Sequence, residues 1–275
     1  MLVNITLIPF LLGIISNVSE DFTFFPEYLY EIHQTQIKYG KINNITKLNS
    51  TLTCHPVHAE NLRCYLHDIM STESSFVQNL NQENISSNPI QNEEWFMMEF
   101  NNRGVYITII ESSVTNSINL IPDIVSQFSI GINIKINNRF EENRYLGIMN
   151  ENTTIGTCTT TYKTIVIYRN KTNETMDSKF QIKLLKNNFS SQKDLNIHIV
   201  KNRKNCTYSS DFANSFNGGK VTKYDHVIEL INNKLTFTTI LEVMKVQLFD
   251  SRRSLKTPMF KKTTQLKLID MKSRK

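Results

Sequence analysis

Glycine is scarce in this chain, eight residues in 275 with no glycine-rich loop, so the backbone cradle that phosphate-binding nucleotide enzymes need is missing. No Gly-X-Ser-X-Gly elbow presents a serine nucleophile. The four cysteines are an even number, which leaves no odd thiolate to act with His198 or His226. Both histidines lie in strand-like segments among charged or amide neighbours, and the expectation is that they sit on the surface. Beyond the first sixteen or so residues no stretch approaches the eighteen apolar residues of a membrane span. No basic stripe of the kind that grips nucleic acid is present, and no cofactor motif is found. A non-enzymatic protein is expected.

What is present is enough for a packed core: 40% hydrophobic and 10% aromatic residues against 20% charged. Asparagine stands out with 32 residues alongside abundant Ile and Lys, the signature of an AT-rich coding sequence. Residues 1–16, MLVNITLIPFLLGIIS, are apolar, uncharged and too short to span a bilayer, so they read as a secretory signal cleaved near Ser16 or as late as Ser19.

Two features agree with an oxidising, glycosylating compartment. Asn44, Asn49, Asn84, Asn152, Asn170, Asn173, Asn188 and Asn205 each open an Asn-X-Ser/Thr triplet without proline. Cys54, Cys64, Cys158 and Cys206 allow three disulfide pairings. Sequence proximity favours joining Cys54 to Cys64 and Cys158 to Cys206. The segment from Cys54 to Cys64 also holds His55, His58 and Glu60, zinc-ligand types with an H-x-E triplet, but the Pro-Cys-X-X-Cys of zinc deaminases is absent and secreted thiols oxidise, so no metal is expected.

The apolar period is mostly two. Residues 95–100 and 105–110 flank Asn101-Asn102-Arg103-Gly104, and residues 221–230 and 235–249 flank Ile231-Asn232-Asn233-Lys234, both in the manner of hairpins. Residues 157–168 place Cys158, Tyr162, Val166 and Tyr168 on one face, and Leu195, Ile197 and Ile199 alternate with polar residues. One stretch breaks the rhythm: Ile118, Ile121, Ile124, Val125 and Phe128 recur at three and four, which predicts a short helix over about 115–128 buried against the sheet. Pro122 either occupies its first turn or kinks it. Residues 70–93 and 169–194 are polar and read as loops, and Trp95, the single tryptophan, as a core residue. Residues 251–275 carry a net charge of +8, leaving −2 for the remainder; this basic segment reads as a solvated end, with an electrostatic footprint for a membrane or polyanion as the lesser alternative. The fold class expected is mainly β, an antiparallel barrel-like sheet with one short buried helix.

The order of these features resembles the N-terminal β-domain of the large lipid transfer protein family, which includes the vitellogenins. That domain opens with an aromatic-rich strand, like Phe24-Phe25-Pro26-Glu27-Tyr28-Leu29-Tyr30-Glu31, and continues with a strand pair like Leu52-Thr53-Cys54 and Leu62-Arg63-Cys64-Tyr65-Leu66. Its helix, of the form L-x-x-I-x-x-I-V-S-Q-L/F, is similar to Ile118 through Phe128. Glu151-Asn152-Thr153-Thr154-Ile155-Gly156-Thr157-Cys158 followed by Tyr162 looks like its E-x-T-x-x-G-x-C-x-x-x-Y, and the segment Val200 to Cys206 resembles the Asn-Cys segment that carries the partner cysteine. Val221-Thr222-Lys223-Tyr224 resembles the strand start that follows. The likeness covers about residues 22–269, so the domain is expected over 20–269, with the basic segment 251–275 overlapping its last strand.

The resemblance implies a secreted lipid-transport protein with lipid as a partner and pairing of Cys158 with Cys206. The chain reaches Lys275 without the family's helical superhelix, polyserine tract or cysteine-rich module, so a truncated vitellogenin-like protein is expected. Two functions follow: lipid transport of yolk or lipoprotein type, or a stand-alone extracellular module that binds a lipoprotein-type receptor without carrying bulk lipid. The triplets make a direct prediction. The native protein should migrate above its calculated 32.0 kDa, and an amidase that removes N-glycans should collapse it; migration unchanged by the amidase would show the triplets unused.

Overall fold

The structure, a computed structural model, describes residues 11–14, 26–58, 61–77, 80–90, 94–101, 104–110, 120–131, 142–170, 181–184, 193–216, 218–232, 234–250 and 253–273. In chain order the elements are β1 (Leu11–Ile14), β2 (Pro26–Lys38), β3 (Ile42–His58), β4 (Asn61–Val77), β5 (Leu80–Ile90), β6 (Glu94–Asn101), β7 (Gly104–Ile110) and helix α1 (Ile121–Gln127). They continue with β8 (Glu142–Thr153), β9 (Gly156–Asn170), β10 (Gln181–Leu184), β11 (Lys193–Tyr208), helix α2 (Ser210–Ser215), β12 (Gly219–Ile231), β13 (Lys234–Asp250) and β14 (Arg253–Ser273).

One antiparallel 12-stranded sheet dominates, in the order β7-β6-β4-β3-β2-β14-β13-β12-β11-β9-β8, with β5 also paired to β4. The strands β7 and β8 end this order and do not pair with each other, so the sheet is curled without closing into a barrel. Short hairpin connections account for most neighbours. The neighbours farthest apart in the chain join the ends of the domain: β14 inserts between β2 and β13. The basic segment 253–273 is therefore an interior strand and not a solvated end. Its alternation explains how cations can be carried there: Phe260, Thr264, Leu266 and Leu268 point inward and are buried, while Lys256 and Lys267 point outward. A bulge between Leu268 and Asp270 resets the parity, so that Met271 is the next buried residue.

Two apolar clusters fill the concave side. The larger gathers Tyr28, Tyr30, Ile32, Leu52, Phe96, Met98, Leu230, Phe237 and Leu266 around α1, whose Ile121, Ile124 and Phe128 are buried within it, with Val125 partly buried at its margin. Phe128 packs edge-on to Tyr30 with ring centroids 5.6 Å apart. The smaller holds Ile155, Cys158, Tyr224, Leu241, Val243 and Phe260, with Tyr208, Phe212 and Phe216 against it. Pro122 sits in the first turn of α1, where its missing N–H would have no intrahelical partner. Ile118 and the rest of 111–119, the upstream part of the expected helix, lie outside the described residues.

Three further expectations change. While 78, 79 and 91–93 lie outside the described residues, residues 70–77 and 80–90 are strand, the outer half of β4 paired with β5. They escaped the period-two reading because residues 86–89 are exposed throughout, so no buried face imposes alternating apolar residues. Trp95 lies on the outer face, 37% exposed, stacked on Tyr65 at 4.5 Å with the Arg63 guanidinium 4.6 Å from its ring. His226 is fully buried, because Tyr224, His226, Ile228 and Leu230 share the inner face of β12. His198 lies on the outer side of β11, 3.5 Å from Glu229. In the expected loop 169–194, residues 171–180 and 185–192 lie outside the described residues, and β10 pairs with β1. Most of the expected signal, residues 1–10, 15 and 16, also lies outside them.

The buried helix carries a stability prediction. Ile124→Ala removes most of a fully buried side chain from the centre of the larger cluster and should cost about 2–5 kcal/mol, read from the urea midpoint; a loss under about 1 kcal/mol would mean that α1 is not packed as described.

Candidate functional site

Under α1 the inner face of the sheet is polar. Cross-strand register lines up Tyr162 with Lys201, Lys201 with His226, His226 with Thr239, Thr239 with Thr264, and Thr264 with Gln34. All six are buried. A desolvated polar group costs stability unless it is hydrogen-bonded, and α1 supplies many of the partners. Asp123 accepts from Gln34 Nε2 at 2.8 Å and from Lys262 Nζ at 2.7 and 2.8 Å. One turn on, Gln127 Oε1 accepts from Thr239 Oγ1 at 3.0 Å. The Thr239 hydroxyl, having donated its proton, accepts from His226 Nδ1 at 2.8 Å, which assigns the Nδ1–H tautomer and leaves Nε2 without a hydrogen bond among the described residues.

Beside this row stands a cluster centred on Glu151 of β8. Its carboxylate accepts from Lys201 Nζ at 2.6 Å, Arg203 Nε at 2.8 Å, Arg203 Nη2 at 3.2 Å and Thr160 Oγ1 at 3.1 Å. Lys201 also donates to the Ser129 carbonyl just after α1, and Arg203 lies 4.5 Å from the Tyr224 ring. Burial pushes the Glu151 carboxyl up, but the two cations and their hydrogen bonds outweigh it and hold it down to about 2. Burial lowers Lys201 to about 8 against the opposing pull of Glu151. Burial, then Lys201 and Arg203, push His226 well below its ordinary value, against a smaller pull from the Gln127 main chain.

Glycine lets the backbone close over this cluster at two points. A side chain on Gly131, at φ +85°, would collide with the Tyr162 ring, and one on Gly104, at φ +125°, with the backbone at Ser129. What remains open is a cavity of about 350 Å³ lined by Thr108 and Ile110 of β7, by Ile121, Pro122, Val125, Ser126 and Ser129, by Glu151 to Thr154, and by Arg203 and Tyr224. Strands from the two ends of the sheet order thus line one space, which sets the sense of the curl.

The disulfides brace each side of the curl. Cys54 and Cys64, opposed in register on β3 and β4, are joined, as are Cys158 of β9 and Cys206 of β11. The thiols of the H-x-E segment are therefore committed to a disulfide. Asn44, Asn49, Asn152 and Asn205 are exposed; Asn84 and Asn170 lie in strands whose side chains there are outside the description, as are Asn173 and Asn188 altogether. The Glu151, Lys201 and Arg203 cluster was missed in sequence, although Glu151 and Lys201 lie in the two segments noticed for their cysteines. Two motifs that share a disulfide must be neighbours, and their charged residues could have been paired on that ground.

An open, curled antiparallel sheet wrapped on one short helix is the class of fold. A solved structure concerned with lipid–protein interactions in lipovitellin matches it with a TM-score of 0.52 and 11% sequence identity, over 91% of this chain and 25% of that one. At that identity the likeness is one of fold, and this chain spans about a quarter of the lipovitellin chain. No family model and no curated protein matches the sequence.

The cluster makes stability depend on acid. An unfolded carboxyl keeps its proton up to about 4.5, whereas folded Glu151 releases it down to about 2, so the folded state binds fewer protons in that window. The contribution of Glu151 is complete above the window and is lost as pH falls through it. His226, neutral when folded, adds an earlier loss as pH drops below the ordinary histidine range. Denaturation measured against pH should show both limbs: His226→Gln should flatten the first and Glu151→Gln the second, and the latter should also cost about 3–5 kcal/mol at neutral pH by leaving two buried cations unpaired. Limbs that persist in these variants would assign the acid response elsewhere.

Proposed function

We propose that this chain is an extracellular, N-glycosylated, non-enzymatic protein of the lipid-transport type, vitellogenin-like in its β-domain. The observation that carries the reading is the fold likeness to lipovitellin over 91% of the chain. Two disulfides, four triplets whose asparagines are exposed and the family-like motifs agree with it. Residues 1–16 act as the signal peptide, with cleavage near Ser16 or as late as Ser19, and residues 20–269 form the domain.

A second reading, an interaction module that binds a lipoprotein-type receptor and carries little lipid, is favoured by the interior. The concave side around α1 is filled by the chain's own side chains, and burial of each acyl CH₂ at about 0.8 kcal/mol needs an apolar space to bury it in. Secreted protein purified without detergent, extracted and analysed by mass spectrometry, should yield at most a few lipid molecules per chain. Tens of phospholipids per chain would remove the module reading, whereas lipid-free protein that captures a low-density-lipoprotein-type receptor ectodomain would remove the carrier.

A further inference from the structure

The cavity of about 350 Å³ at the unclosed seam of the sheet has a charged and an apolar set of lining residues. The charged set includes Arg203, whose side chain is 3% exposed. Of its five N–H donors, Nε and one on Nη2 are spent on Glu151, while Nη1 makes no hydrogen bond among the described residues. Tyr224 lies under the guanidinium plane and fixes the direction of the fork. Among the described residues the charge here does not balance. Glu151 alone serves both Lys201 and Arg203, and the next carboxylate under the helix, Asp123, is committed to Lys262. One positive charge in water-poor surroundings is left over, a costly arrangement that an incoming monoanion would relieve.

The apolar lining comes from Ile110, 50% exposed at the end of edge strand β7, and from Ile121, Pro122 and Val125 of α1. The volume is at the small end of ligand pockets and suits one acyl chain in place of two. We propose that this seam is a binding site for a single-chain anionic amphiphile, a long-chain fatty acid, with its carboxylate on the free edge of Arg203 and its tail along Ile110, Ile121, Pro122 and Val125. The assignment is independent of the lipid-transport reading. One fatty acid per chain stands or falls on this cavity, whatever the native protein carries.

The test is displacement of a fluorescent fatty acid, cis-parinarate, from the full disulfide-intact chain by oleate. Saturation at one site per chain is expected, with oleyl alcohol weaker by about tenfold or more, the scale of losing one hydrogen bond to a charged group. Acetate and inorganic phosphate should not displace the probe, since they lack the tail; displacement by either would make the site a simple anion site and overturn the amphiphile assignment. Arg203→Lys keeps the charge, loses the fork and should narrow the gap between oleate and oleyl alcohol. Because that variant disturbs the Glu151 cluster, Ile110→Glu serves as the second: the side chain is half exposed, the fold does not depend on it, and a carboxylate at the mouth should weaken oleate by about tenfold. Equal affinity for oleate and oleyl alcohol, unchanged binding in Ile110→Glu, or no saturable binding would each overturn the proposal.

Discussion

Glu151 is the point on which the curl of the sheet depends. It comes from β8, at one end of the strand order, and its carboxylate holds Lys201 and Arg203 of β11 while Lys201 reaches on to the carbonyl of Ser129 behind α1. One buried carboxylate therefore ties the end of the sheet, an inner strand and the helix together. In a low-dielectric interior such a group must be paired, and the pairing geometry admits few arrangements of the three elements. Dispersion and apolar burial give the domain its stability, but they do not choose a single helix position; a set of directed, desolvated hydrogen bonds does.

The polar row beneath α1 is a consequence of the same constraint. A helix of seven described residues buries too little apolar surface to dock firmly by itself, and its Asp123 and Gln127 find partners on β2, β13 and β14. Lys262, one of the cations of the basic C-terminal segment, is one of those partners. The two apolar clusters lie on either side of this row, each braced by its own disulfide, with Cys54–Cys64 in the larger and Cys158–Cys206 at the smaller. Leaving the sheet unclosed has a price in two exposed edges, with Tyr106 on β7 and Leu146 and Ile148 on β8 facing solvent, and it opens the seam beside Arg203.

Much of the fold was legible where one face of a strand is buried. The alternation of Cys158, Tyr162 and Val166, the two hairpins around Asn101-Gly104 and Ile231-Lys234, and the break to helical spacing at Ile121, Ile124 and Phe128 all follow from a core on one side. The outer half of β4 and its partner β5 were illegible for the converse reason, since strand residues exposed on both faces, such as 86–89, carry no period. His226 and Trp95 were misplaced because their neighbours in sequence do not reveal which face of a strand is inner; a polar residue on the inner face reads as an outer one. Lys262 was hidden inside a run of cations that composition alone assigns to solvent.

Local pattern, then, determined the secondary structure wherever a buried face imposed it: strand alternation, turn residues and one helical repeat act between residues close in the chain, and their physics is complete within a dozen residues. The even number of cysteines likewise follows from the sequence alone. Which strands become neighbours, that β14 enters between β2 and β13, that the sheet stops short of closure, and that Glu151 meets Lys201 and Arg203 were decided only in three dimensions. Glu151 and Lys201 are 50 residues apart and Gln34 and Thr264 are 230 apart, so their contacts exist only once the sheet has assembled, and the cost of burying them unpaired is what selects that assembly.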